Sequence, residues 1–81
     1  MRELVISRQA RHFLNHCPTL INGRISEKLE IIRMDPFMKS KLQGEDLYKI
    51  RVGDYRILFR IENDAILVEK IGHRKNVYKH L

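Results

Sequence analysis

The sequence predicts one small α+β domain, residues 1–81, in the order β-α-α-β-β-β, with an antiparallel sheet packed on a helical hairpin. Three observations predict it. Apolar residues between positions 10 and 32 recur at helical spacing. Residues 48–61 alternate apolar and polar side chains, as a half-buried strand pair does. Two-residue turn signals interrupt the second half of the chain. Eighty-one residues, 43% hydrophobic and 32% charged, support one thin globular core and no second domain.

The elements follow in order. "RELVI", residues 2–6, reads as a short first strand, and Ser7 is placed to cap the helix behind it. Ala10, Phe13, Leu14 and Cys17 form that helix's apolar stripe, and Pro18 closes it. A second helix is expected to begin near Thr19 or Asn22, with Ile21, Ile25, Leu29 and Ile32 inward and Lys28 and Glu30 outward. Gly23 opposes the early part of this helix, by about 1 kcal/mol against alanine. Asp35-Pro36 ends it, and "FMKSKLQGED" reads as a loop carrying Lys39 and Lys41. Gly53-Asp54 then separates "YKIRV" from "YRILFRIE". Glycine first in a two-residue loop suits a type II′ hairpin turn. Asn63-Asp64 offers a second tight turn before the strand "AILVEKI", and "HRKNVYKHL" reads as a frayed helical turn or an extended tail.

Charge sets the functional question. The chain has 16 Lys and Arg against 10 Asp and Glu, a net +6, which favours a polyanionic partner, nucleic acid above all. Across a two-residue turn, Val52 faces Tyr55, Arg51 faces Arg56, Ile50 faces Ile57 and Lys49 faces Leu58. One face of this hairpin is then apolar, and the other sets Arg51 directly against Arg56 with Lys49 two residues away. Like charges opposite one another destabilise a strand pair by a few tenths of a kcal/mol. Relieving them, as in Arg56→Gln, is therefore expected to stabilise the free protein unless an acid such as Glu62 or Glu69 holds Arg56. A face needed only for solubility mixes Glu with Lys. Clustered arginine instead suits bidentate recognition of phosphate.

Other chemistries have weaker support. No apolar run is long enough to span a bilayer, and no apolar signal-peptide core opens the chain. Cys17 alone excludes an internal disulfide framework and fits a reducing, cytoplasmic setting. His12 and His16 have a zinc-compatible spacing, but "HFLNH" lacks the glutamate of a metalloprotease motif, so neither metal nor cofactor is expected. Ser7, Ser26 and Ser40 have no hydrolase motif around them, and the four glycines form no phosphate loop.

The run "KLQGEDLYKIRVGDYRILFRIE" followed by "IGHRKNVYKHL" resembles the C-terminal half of the RelE/ParE superfamily of toxins, in the family's order; "GHRKNVY" points to its RelE branch. The resemblance implies a RelE-like fold and a toxin of a type II toxin-antitoxin pair. The implied activity is that of a ribosome-dependent endoribonuclease, an mRNA interferase cutting messages without metal. The functional positions it implies are Lys49, Arg51, Arg56, Arg74 and Tyr78 for catalysis; from the charge pattern, Lys49, Arg51, Arg60, Lys39 and Lys41 are the cations expected to bind RNA. In this reading Arg56 and Arg74 stabilise charge on the phosphoryl oxygens, Lys49 holds the phosphate, and Tyr78 orients or deprotonates the 2′-OH or stacks on a base. Arg51 replaces a lysine found in some relatives. Because arginine stays protonated, either proton transfer falls to another group or activity is modest, with His73 a candidate beside its bland reading as a turn residue. The implied partners are messenger RNA on the ribosome and a cognate antitoxin protein, with no membrane. A ParE-like inhibitor of DNA gyrase and a non-catalytic RNA-binding module are the alternatives.

Overall fold

The computed structural model describes residues 2–34, 40–41 and 47–78. Their order is β1 (Glu3–Ile6), α1 (Arg8–His16), α2 (Thr19–Met34), β2 (Ser40–Lys41), β3 (Tyr48–Val52), β4 (Tyr55–Glu62) and β5 (Ala65–His73). The α+β class and the predicted elements are all present. Ser7 caps α1 as its side chain predicts, its hydroxyl accepting from the Ala10 N–H at 3.1 Å. The helix α2 starts at Thr19 and runs through Gly23, beside which a side chain would meet open space. Asp35-Pro36 and Lys39 lie outside the described residues, as does the chain beyond Tyr78; of Lys41 only the backbone is described.

Two features depart from expectation. The sheet is mixed, in the order β1-β5-β4-β3-β2, because β1 pairs with β5 in parallel, Glu3 with Ala65 through Ile6 with Val68. Parallel pairing of the first and last strands needs a long crossover, which the intervening helices and hairpin supply. The expected loop also contains β2, whose two residues pair with Lys49 and Tyr48 along the edge of β3. A neighbouring segment satisfies the unpaired backbone of an edge strand in this way, and two residues are too few to show an alternating pattern.

The hairpin register is the predicted one, Val52 with Tyr55, Arg51 with Arg56, Ile50 with Ile57 and Lys49 with Leu58. Gly53 has φ +59° while Asp54 does not have a positive φ, which matches the type II′ pattern. Asn63 takes φ 54° in the second turn, a region asparagine tolerates better than most side chains.

Ile25, Leu29 and Ile32 of α2 and Ala10 of α1 are buried in one cluster with Ile50, Ile57, Phe59, Ile66, Val68 and Ile71 of the sheet. Strand β5 can supply Ile66, Val68 and Ile71 to one face only through a change of phase. A bulge provides it: Leu58 pairs with Lys70, but Phe59 pairs with Val68, leaving Glu69 as the extra residue. Without the bulge, strict alternation would turn Lys70 inward and Ile71 outward. The start of α1 holds this irregular stretch. The Ser7 N–H donates to the Val68 carbonyl at 2.9 Å and its hydroxyl to the Glu69 carbonyl at 2.7 Å. The Gln9 amide then donates to the Ile71 carbonyl and accepts from the Ile71 N–H, both at 3.0 Å. Gln9 thus continues the ladder where β1 has ended.

Candidate functional site

The cationic hairpin face is where the charge lies, and its positions follow from the register. Arg51 and Arg56 are opposed, and Arg56 in turn faces Gly72 of β5. The next row holds Lys49, Leu58 and Lys70, and the row beyond it Arg60 and Leu67. Lys49 is therefore about 7 Å along the strand from Arg51, on the same face.

The local structure explains how two opposed guanidinium groups are tolerated. Arg51 Nε donates to the Gly53 carbonyl at 3.3 Å, and an Arg56 terminal nitrogen donates to the same carbonyl at 3.0 Å and to the Tyr55 carbonyl at 2.9 Å. The turn dipoles, not Glu62 or Glu69, steady Arg56. Glu69 instead pairs with Arg60 at 3.3 Å, so that cation is already partnered. Arg74 reaches the same end of the sheet. Its N–H donates to the Asp54 carbonyl at 2.8 Å, and its guanidinium lies 4.0 Å from the Asp54 carboxylate, both side chains more than half exposed. An exposed pair at that distance contributes little, leaving Arg74 available to another anion.

Residues 74–78 fold back over the sheet face. The Asn76 and Val77 N–H groups donate to the His73 carbonyl, and Val77 is buried against Gly72, where a Cβ would lie 3.5 Å from that of Val77. Leu47, Leu58 and Val77 are buried outside the main cluster, so the cationic face has an apolar floor of its own. Tyr78 follows Val77 directly and stays 37% exposed.

The structure thus brings Arg51, Arg56 and Arg74 to one end of one face, with Lys49 further along it and Tyr78 on the segment that covers Gly72. His73 belongs elsewhere. It pairs with Tyr55 on the helix-facing side, its ring centroid 5.7 Å from that of Tyr55 in an edge-on contact. Its Nδ1 accepts from the Lys75 N–H at 3.1 Å, so it serves as a turn acceptor facing away from the arginines. His12 and His16 stack at 4.1 Å, and the His16 Nδ1 donates to the His12 carbonyl at 2.8 Å; among the described residues no third ligand joins them. The residues that sequence reasoning missed are Gly72 and Val77, which seat the terminal segment, and Lys70, which the bulge turns onto the cationic face. Two consecutive polar residues in "VEKI" were the available signal.

The profile of the family described as the ParE toxin of type II toxin-antitoxin systems, parDE, matches residues 4–78. Toxin RelE3 of Methanocaldococcus jannaschii is 32% identical over 77 residues, which cover 83% of this chain and 84% of that one. The fold is similar to that of the isolated E. coli RelE toxin, with a TM-score of 0.81 at 20% identity over 90% of this chain and 84% of that one. It is also similar to a chain of the RelB-RelE antitoxin-toxin complex from Methanococcus jannaschii, with a TM-score of 0.74 at 26% identity over 95% and 98% of the two chains. This chain belongs to the RelE/ParE superfamily of toxins of type II toxin-antitoxin systems.

Proposed function

We propose that this toxin is a ribosome-dependent endoribonuclease that cleaves messenger RNA through attack of a ribose 2′-OH, without a metal ion. The observation that carries the reading is the convergence of Arg51, Arg56 and Arg74 at the hairpin end of one sheet face. In such a reaction the 2′-oxygen bonds to the adjacent phosphorus and the P–O5′ bond breaks, leaving a 2′,3′-cyclic phosphate and a 5′-hydroxyl. The nucleophile loses a proton and the leaving oxygen gains one. Negative charge grows on the phosphoryl oxygens in between, and cations already held in place stabilise it without reorganising. Arg56, steadied by two carbonyl groups, and Arg74, weakly engaged by Asp54, take that role.

Arg51 and Lys49 bind the phosphate and its neighbour. Tyr78 orients or deprotonates the 2′-OH, or stacks on a base. The ribosome aligns the message, an effect of orientation. The partner that keeps such a face covered between uses is a cognate antitoxin, a reading supported by the likeness of this chain to one from a RelB-RelE antitoxin-toxin complex.

Single-turnover cleavage on saturated ribosomes tests the assignment. Arg74→Ala slows the chemical step by on the order of 100-fold, the scale of one lost oxyanion donor, while ribosome affinity changes far less. Tyr78→Phe shows the same pattern if the hydroxyl moves a proton and little effect if the ring stacks. Both variants cleaving at the parental rate would overturn the catalytic assignment. Growth arrest with intact messages and inhibited supercoiling would replace it with the gyrase reading, toward which the ParE family match leans.

A further inference from the structure

The cationic face continues around the edge of the hairpin into a groove against α2. Two adjoining depressions, of about 210 and 290 Å³, share Arg24, Arg51, Val52 and Gly53 and so form one channel between the helix and the hairpin tip. Ile21 and Tyr55 line its near half, and Lys28 and Ile31 its far half. Arg24 and Lys28 stand one turn apart on α2, about 6 Å along its axis. Among the described residues neither pairs with an acid: the ion pairs there are Arg33 with Glu30, Arg60 with Glu69 and Arg74 with Asp54. Two unpaired cations on a groove that opens at Arg51 extend the positive surface away from the reacting centre.

We propose that this groove carries the single-stranded RNA flanking the cleaved phosphate, with Arg24 and Lys28 holding backbone phosphates outside the catalytic set. The inference rests on the RNA reading above and deepens it. Charge complementarity selects the occupant. The three cations Arg24, Lys28 and Arg51 outnumber the two acids of the lining, Asp54 and Glu27. The apolar side chains Ile21, Val52, Tyr55 and Ile31 give a splayed base or ribose a dry surface. Glu27 stands on the same wall as Lys28 and opposes a phosphate there, so its charge limits affinity.

The test is binding of a fluorescent single-stranded RNA by anisotropy across a salt series, with cleavage blocked by a 2′-deoxy substitution at the scissile position. Each phosphate contact on a single strand contributes roughly 0.7 to the slope of log affinity against log salt. The double variant Arg24→Gln/Lys28→Gln should therefore flatten the slope by about 1.4, with melting temperature little changed because Arg24 is exposed, Lys28 only half-buried, and neither is held by an acid among the described residues. Glu27→Gln should tighten binding by roughly 2-fold at low salt. A parental slope in the double variant, or weaker binding by Glu27→Gln, overturns the groove assignment while leaving the catalytic reading intact. No RNA binding by the parent overturns the groove assignment, whereas the catalytic reading falls only if the parent leaves messages intact on ribosomes. Retained RNA affinity with loss of affinity for an acidic peptide would make the groove a protein-docking site instead.

Discussion

Val77→Ala tests whether the terminal turn is part of the folded unit that presents the arginines. Val77 is 1% exposed and rests on Gly72, directly across the sheet from Arg56. The substitution removes two methyl groups from a buried position, about 1.6 kcal/mol at 0.8 kcal/mol per group. A cavity over Gly72 would add to this, but a segment near the chain end relaxes more freely than a core helix, so a total of about 2 kcal/mol is expected. Urea titration is the assay. With a slope of about 1 kcal/mol/M for a chain of this size, the midpoint should fall by about 2 M. Amide exchange at Val77, whose N–H donates to the His73 carbonyl at 2.9 Å, should accelerate as well. Cleavage should slow while RNA affinity persists, because Arg51 and Lys49 are held by β3 rather than by this turn. A midpoint within about 0.3 M of the parent, with unchanged exchange at Val77, would refute the claim that burial of this side chain seats the segment.

Arg56→Gln should destabilise the protein by about 0.5–1 kcal/mol in the same titration. Two hydrogen bonds to the Gly53 and Tyr55 carbonyls are lost, and together they outweigh the few tenths gained by relieving Arg51. A net stabilisation would show that repulsion dominates after all. Gln9→Leu should lower stability by about 2 kcal/mol, because it leaves the Ile71 N–H and carbonyl without their amide partner. For a domain this small that is on the order of a 10 °C fall in Tm by calorimetry, and a fall under about 2 °C would mean the bulge holds itself.

The features legible in the amino-acid order are local ones. Turn chemistry at Gly53-Asp54 sets the hairpin register, and the register alone places Arg51, Arg56 and Lys49 on one face. Ser7 as a cap and the stripe Ile25, Leu29 and Ile32 were legible for the same reason, since capping and helical periodicity act over a few residues. Contacts between distant segments are not legible in this way. Ser7 and Gln9 bond to Glu69 and Ile71 across 62 residues, and neither stretch shows any sign of the other in its own pattern. Those bonds hold the bulge that shifts the phase of β5, and that phase carries Gly72 to the side of Arg56 and His73 to the side of Tyr55. The motif residues Arg74 and Tyr78 could be named from the sequence. Arg74 is brought beside the hairpin turn by its N–H bond to the Asp54 carbonyl, and the segment that carries Tyr78 is seated by Val77 packing over Gly72, contacts whose free energy exists only after the sheet has formed.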